Sequence, residues 1–297
     1  MSRRSTKANG VAAHPIDLDC AEAFRRIATS CLAEIAANRH GASLGQADAI
    51  HRMRVGITRL RSAVTFFSAM TRDEAWPRLK SELRWLNRSL GSARDVDVVA
   101  QNIQRPRYRK LTAKGIERDL DRRSKQSRRR LQRALRSSRL QRFVTTASAW
   151  IDGGPWATRS DPRSDQQRRQ PVGPYCERKI AQWQAKLIHR GSDLADMKES
   201  QRHRLRIRAK RLRYMLEMLA SVCPERHLGP SGKVTKPIKH LQRSLGDLGD
   251  LKRLRDWTKS SMAARREGQP HGYKREKTLV LADAARAYRK MARAFQH

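Results

Sequence analysis

HRMRVGITRLR, residues 51–61, and HRLRIRAKRLR, residues 203–213, are two versions of one string. Both begin with His-Arg, have Arg at the fourth position and end with Arg-Leu-Arg. A second pair, RSLGSARD at 88–95 and RSLGDLGD at 243–250, shares RSLG and the final Asp. The offsets are 152 residues for the first pair and 155 for the second. Each half of the chain therefore contains the same two segments in the same order, which indicates an internal duplication.

The sequence around these strings has helical periodicity throughout. Between residues 17 and 40, for example, apolar side chains recur at helical steps, and Asp17 is a suitable N-cap. We find no alternating strand segment of any length, so the predicted fold class is all-α. The duplication further predicts a helical bundle with pseudo-two-fold symmetry. The predicted helices are 17–40, 44–70, 72–91, 107–150 (broken once or twice), 175–190, 196–222, 233–248, 250–267 and 274–296.

One segment between the two halves has a different composition. Residues 151–174, IDGGPWATRSDPRSDQQRRQPVGP, are rich in Gly, Pro, Ser, Arg and Gln and have no apolar periodicity. Such composition is typical of a flexible linker. We therefore expect a first helical half at 17–150, a linker at 151–174 and a second helical half at 175–297. Residues 1–16 are expected to be a disordered basic N-terminus.

The charge of the chain is far from balanced. Lys and Arg total 66 against 28 Asp and Glu, giving a formal net charge of +38. Such an excess repels itself in a compact state and predicts an anionic partner. No apolar stretch approaches the roughly 20 residues of a membrane span, and no secretory signal is visible at the start. We expect a soluble cytoplasmic protein with no membrane partner.

The cysteine pattern gives no sign of a metal site. The chain has four cysteines, no Cys-x-x-Cys pair and no His at the spacing of a zinc ligand. We expect thiols in a reducing compartment, with neither a metal nor a cofactor. The cysteines are Cys20, Cys31, Cys176 and Cys223.

The repeated string predicts a helix with two neighbouring stripes. On a helical wheel one stripe is apolar and faces the core, and beside it runs a polar stripe led by a histidine. The cations of that polar stripe lie at the edge of a buried face. In the first copy the apolar stripe is Met53, Ile57, Leu60, Val64 and Phe67, and the polar stripe is His51, Arg54, Thr58 and Arg61. In the second copy the apolar stripe is Leu205, Ala209, Leu212, Leu216 and Leu219. The polar stripe of that copy is His203, Arg206, Lys210 and Arg213.

The next helix of each half also has an aligned row of cations. Like charges four residues apart on a helix repel by a few tenths of a kcal/mol, and the arrangement recurs in both halves. A polyanion lying across the rows explains it best. The rows are Lys80, Arg84 and Arg88 in the first half and Lys239 and Arg243 at the matching positions of the second.

The composition favours a polyanion without bases. Single-strand binders place aromatic side chains among their cations so that bases can stack, whereas aromatics are only 5% of this chain. No zinc-finger or RNP-like motif is present. Arginine forks bind phosphate oxygens bidentately and lysine adds point charge. These features favour inorganic polyphosphate, while backbone contacts to duplex nucleic acid stay open.

Two kinds of residue in these segments have more than one reading. His51 and His203 either bond a neighbouring carboxylate or carbonyl, or stay neutral beside the cations and donate to a phosphate. Asp95, Asp97, Asp247 and Asp250 either orient arginines and cap helices or form an acidic site. An enzyme acting on polyphosphate would need these four aspartates to hold a metal.

At these strings the sequence resembles the CHAD (conserved histidine α-helical) domain family. The resemblance rests on HRMRVGITRLR with RSLGSARDVDV and on HRLRIRAKRLRYMLEML with LQRSLGDLGDL, and it extends over about residues 17–296. It implies two four-helix bundles that face each other across a basic cavity. It also implies binding of inorganic polyphosphate and association with polyphosphate granules.

The resemblance does not imply an enzyme. Some family members are fused to a triphosphate-tunnel catalytic domain, but this chain has no Glu-x-Glu-x-Lys string. It also departs from the family pattern, since Thr58 replaces a common Arg and Gly249 stands opposite Arg94. The leading hypothesis is a non-enzymatic polyphosphate binder, and a nucleoid-associated protein is the alternative. The predicted binding residues are His51, Arg54, Arg61, Lys80, Arg84, Arg88, Arg94, His203, Arg206, Lys210, Arg213, Lys239 and Arg243.

Overall fold

The computed structural model describes residues 18–109, 111, 116–222, 232–260 and 272–296. These ranges are helical and contain no strand, which confirms the all-α prediction; a single isolated bridge pairs Asp19 with Pro171. The predicted disordered N-terminus at 1–16 and Cys223 lie outside the described residues. The helices are α1 (Cys20–Ala37), α2 (Arg39–Ser43), α3 (Ala47–Phe66), α4 (Ser68–Thr71), α5 (Trp76–Ile103), α6 (Pro106–Arg109), α7 (Ile116–Arg136), α8 (Ser138–Gly153), α9 (Pro155–Thr158), α10 (Pro162–Arg169), α11 (Val172–His189), α12 (Glu199–Val222), α13 (Gly232–Ser260) and α14 (Tyr273–Ala294).

Helix α1 begins later than predicted. Its N-cap is Asp19, whose Oδ1 accepts a hydrogen bond from the backbone N–H of Glu22 at 2.7 Å. The predicted cap, Asp17, lies outside the described residues. A free backbone N–H in the first turn is the usual partner of such a cap, so Asp19 fixes the start of the helix.

Two glycines that we expected to end or interrupt helices do neither. Helix α5 continues through Gly91 to Ile103, and α13 runs unbroken through Gly249. A glycine in a helix interior costs only about 1 kcal/mol relative to alanine. Burial of side chains beyond the glycine easily exceeds that cost. The buried residues that follow are Ala93, Val96 and Val99 on α5, and Leu251 and Leu254 on α13.

The segment at 151–174, where we expected a flexible linker, is folded. It contains α9 and α10, and Trp156 is fully buried with its ring 5.1 Å from that of Phe24 in an edge-to-face contact. Gln167 is also buried, and its Oε1 accepts a hydrogen bond from the backbone N–H of Met70 at 2.8 Å. Isolated residues anchor this segment, so it has no periodic stripe for a sequence pattern to detect.

The two halves share their hydrophobic cores. Helix α3 of the first half packs against α12 of the second, and α5 packs against α13. Cys31 Sγ lies 3.7 Å from Met218 Sδ across this junction. The larger core contains residues of α1, α3, α5, α8 and α11–α14, and the smaller one lies where the ends of α5 and α13 meet α7 and α14. Shared cores fix the two halves relative to each other.

Asp73 links three parts of the first half. Its Oδ1 accepts hydrogen bonds from the backbone N–H groups of Ala75 and Trp76, at 3.1 and 2.8 Å, where α5 begins. Its Oδ2 accepts from the Trp150 indole at 2.8 Å and from the backbone N–H of Trp156 at 2.9 Å. The residue is only 6% exposed. This one carboxylate therefore joins the start of α5 to α8 and α9.

Replacing Asp73 should destabilise the fold strongly. Hydrogen bonds to a charged group contribute about 1.5–3 kcal/mol each, and D73A leaves several buried donors without an acceptor. We expect a loss of about 3 kcal/mol or more in the free energy of unfolding, measured by urea denaturation. The control is E74A, at the exposed neighbouring position, and an equally small effect of both variants would contradict the role given to Asp73.

Candidate polyanion-binding site

The two copies of the repeated string meet in the structure, because the helices that contain them, α3 and α12, pack against each other. Their predicted apolar stripes are buried. This packing brings the polar stripes to the junction between the halves. Glu217 of α12 lies 3.5 Å from Arg59 of α3, and Arg59 also lies over the ring of Tyr214 at 5.4 Å.

Cations from both halves converge at this junction. Burial lowers the pKa of Arg54, and the nearby charges of Arg94, Arg253 and Arg206 lower it further against the opposing effect of Asp95. His51 has its pKa lowered by partial burial and by Arg94, Lys210 and Arg54, so its ring is neutral at pH 7. We call the following six residues the central cluster: His51, Arg54 and Arg94 from the first half, and Arg206, Lys210 and Arg253 from the second.

Lys210 is the most strongly perturbed member of the central cluster. Burial, with help from Arg206, Arg54 and Arg213, lowers its pKa to about 8. Its Nζ lies 5.4 Å from the centre of the Tyr214 ring, and no carboxylate of the described residues forms an ion pair with it. A bound anion would reverse this perturbation, because a nearby negative charge favours the protonated amine.

Arg54 and Arg206 occupy equivalent places in the two halves. The Arg54 guanidinium lies over Gly91, where a β-carbon would be 3.0 Å from Nη1, and it donates to the carbonyl of Asn87 at 3.2 Å. Arg206 lies over Gly246, where a β-carbon would be 3.5 Å from Nε and Nη2. The glycine of each RSLG string thus gives room to the arginine of the preceding repeated helix.

Arg206 differs from Arg54 in its hydrogen bonding. Its Nε is buried and has no hydrogen-bond partner. Arg206 lines a cavity of about 110 Å³ whose other charged residues include Arg202, Lys277 and Lys252, the last paired with Glu199 at 2.6 Å, and Asp250, which is paired with Arg253. A buried donor without an acceptor is unfavourable, so an anion entering this cavity would meet an unused donor.

Asp95, Asp97 and Asp250 each lie close to an arginine. Arg253 lies 3.4 Å from Asp95 of the first half and 2.6 Å from Asp250 of its own helix. Asp97 is partly buried, which raises its pKa, and it lies 3.7 Å from Arg128. Asp95 and Asp250 therefore position a cation of the central cluster, in line with the orienting role considered from the sequence.

Other predicted binding residues lie further along the helices. Arg61 has its pKa lowered by burial and by Arg84, and it lies close to Arg211, whose pKa is lowered in the same way. The Arg213 side chain already has acceptors within the protein, since it donates hydrogen bonds to Glu217 at 2.6 Å and to Gln242 at 3.0 Å. In the described part of the chain, no ion pair or hydrogen bond connects the central cluster to Lys80, Arg88, Lys239 or Arg243.

Arg253 is not among the candidate residues predicted from the sequence. Gly249 had been read as the loss of the cation that matches Arg94, whereas Arg253, one turn later on α13, reaches Asp95 instead. The pattern RSLGDLGDLKRLR does contain this arginine at four residues from Gly249. Thr58, read as a weak point, donates to the carbonyl of Arg54 at 2.8 Å and so packs against its own helix.

Comparisons with known proteins show which solved structures share this fold. The structure is similar to the crystal structure of the CHAD domain from the plant Ricinus communis, with a TM-score of 0.70, 24% identity, and coverage of 99% of this chain and 97% of that one. PptA from Streptomyces chartreusis is similar with a TM-score of 0.58, 13% identity, and coverage of 93% and 99%. Both likenesses concern the fold. A comparison with curated protein sequences gives no match.

The family profile named CHAD domain matches residues 26–259. The protein belongs to the CHAD domain family, as the doubled strings indicated.

Two findings concern the described residues as a whole. They include no group of three or more His, Cys, Asp or Glu placed to hold a metal ion. None of their helices is long and apolar enough to cross a membrane.

Lys210 should make the fold less stable at neutral pH. Because its folded-state pKa, about 8, is below the ordinary lysine value of 10.5, the unfolded chain binds more protons between these two pH values. We expect K210M to raise the free energy of unfolding at pH 7 by about 1–3 kcal/mol. This advantage over wild type should shrink as pH rises through 8 towards 10, as measured by urea denaturation at each pH. K239M, at an exposed lysine, is the control, and a pH-independent difference would refute the assignment.

The glycines near the site should respond differently to alanine. A β-carbon at Gly249 would meet no atom within 4 Å, so G249A should stabilise the helix by about 1 kcal/mol. In G91A the new β-carbon displaces the Arg54 guanidinium, so we expect a clearly smaller gain or a loss. Denaturation curves measure both variants, and equal gains would show that Arg54 does not depend on the space over Gly91.

Proposed function

We propose that the central cluster binds inorganic polyphosphate without turning it over. The proposal goes beyond membership of the family, and it rests on the chemistry of cations that two helices hold together. Its main support is a single observation: among the described residues no carboxylate forms an ion pair with Lys210 or Arg206, although both are partly buried in a cluster of like charge. An anion that enters this cluster gains charge-assisted hydrogen bonds and relieves the repulsion.

A chain of phosphates fits the cluster better than a nucleic acid does. Arg54 and Lys210 are partly buried at a helix junction, where a thin chain can approach and the wide body of a duplex is hindered. The nearby aromatic ring, Tyr214, is only 4% exposed and lies against Lys210, Arg213 and Arg59. It offers no open face on which a base could stack.

The same geometry supports binding rather than catalysis. Metal-assisted phosphoryl chemistry needs carboxylates that are free to hold the ion. Asp95 and Asp250 contact Arg253, which neutralises them. In our proposal these aspartates orient the arginine, and the bound chain keeps its length. A binder of this kind is suited to bring the protein to polyphosphate granules.

A competition titration tests the proposal. Labelled long-chain polyphosphate is displaced by duplex DNA, single-stranded RNA or heparin at near-physiological salt. We expect polyphosphate to bind at least tenfold more tightly than the competitors, which corresponds to about 1.4 kcal/mol. The double variant R54A/R206A should lose this margin, because it removes one guanidinium of the central cluster from each half.

The matched control is R52A/R204A. It removes one arginine from each copy of the same string, but both side chains are exposed. If the two double variants weaken polyphosphate binding equally, the effect comes from general charge and the proposal fails. Electrophoresis of polyphosphate after incubation with Mg²⁺ or Mn²⁺ provides a second test, and shortened chains would favour an enzyme.

A further inference from the structure

Helix α7 has a buried apolar side and a cationic side that faces away from the protein. One side is buried: Ile116, Leu120, Leu131 and Leu135 pack into the protein. At 100° per residue, a row of cations lies on the opposite side. The row consists of Arg118, Arg122, Lys125, Arg129, Arg133 and Arg136, and all six residues are exposed. It was not among the candidate sites found from the sequence.

The second half of this row has no internal partner. Arg122 and Lys125 pair with Asp119 and Asp121, at 2.6 and 2.8 Å. Among the described residues, by contrast, Arg129, Arg133 and Arg136 form no ion pair or hydrogen bond through their side chains. Their charges repel along the helix, and no carboxylate of α7 lies beyond Asp121.

The row and the central cluster lie on different surfaces. Helix α7 buries its apolar side against α5, α2 and α8, so the six cations of the row point away from α5, whereas Arg128, which is not part of the row, approaches Asp97 of α5 at 3.7 Å. The central cluster lies where α3 and α5 meet α12 and α13. A ligand bound to the row would therefore leave the central cluster accessible to a second ligand. Each of the two surfaces can also be mutated without altering the other.

We propose that the cationic row of α7 binds the sugar–phosphate backbone of duplex nucleic acid. From Arg118 to Arg136 the row is about 27 Å long at 1.5 Å per residue, and successive cations are about one helical turn apart. A duplex presents a rigid array of phosphates over such a length. A flexible chain must first lose conformational entropy to lie along solvated side chains. This inference does not rest on the polyphosphate proposal.

The chemistry of the row indicates contact with phosphates rather than bases or lipids. Helix α7 contains no aromatic residue for base stacking. It exposes no large apolar side chain that could insert into a bilayer, since the exposed large apolar residues of the described chain are Leu44 and Leu279. Binding is therefore independent of base sequence and sensitive to salt.

The test compares two triple variants of the full chain. R129Q/R133Q/R136Q removes the unpaired part of the row, and glutamine keeps the helix propensity high. The control, R163Q/R178Q/K290Q, removes the same charge from exposed positions on α10, α11 and α14. Binding to a duplex of random sequence is measured by fluorescence anisotropy over a series of salt concentrations. Binding to a short polyphosphate chain is measured alongside.

We expect the α7 variant to bind the duplex at least about tenfold more weakly at low salt, with a salt slope less steep by about three. The control and the binding of short polyphosphate should change little. Equal losses in the two variants would overturn the proposal, because charge alone would then explain binding. A loss of binding to polyphosphate or to anionic vesicles, with duplex binding intact, would also overturn it.

Discussion

The site depends on one electrostatic constraint: the packing of two helices forces cations together where water is partly excluded. Arg54 from α3 meets Arg206 and Lys210 from α12, and the lowered pKa of Lys210, about 8, reflects that position. Folding alone would favour neutral or opposite charges here. An arrangement that is unfavourable without a ligand and favourable with an anion is typical of a binding site, where function limits stability.

Hydrophobic packing and the hydrogen bonds of Asp73, rather than the cations themselves, hold the helices in this arrangement. The shared hydrophobic cores fix α3 against α12 and α5 against α13. Asp73 ties the start of α5 to Trp150 and Trp156. The position of α5 then decides where Gly91 lies beneath Arg54. The hydrogen bonds of this one buried carboxylate at the start of α5 thus help to position the Arg54 guanidinium, which lies over Gly91 about four helical turns further along α5.

Part of the fold and site could be predicted from periodicity and repetition. The polar stripes with Arg54 and Arg206 followed from the spacing of Leu60 and Leu212, because burial of a helix face repeats every three or four residues. The failures had local causes. Gly91 and Gly249 do not end their helices, since later burial exceeds the small propensity cost. Trp156 and Gln167 anchor the segment expected as a linker, and such isolated anchors leave no periodic pattern in the sequence.

The sequence by itself determined the all-α class, the two repeated strings, the excess of positive charge and the faces on which the cations lie, because these depend on composition and on spacing along one helix. Only the tertiary structure decided which cations meet. It brought Arg253 to Asp95, committed Arg213 to Glu217 and left Arg206 Nε without a partner. Such pairings depend on how helices distant in sequence pack together. Spacing along one helix contains no information about the charge that a neighbouring helix will present.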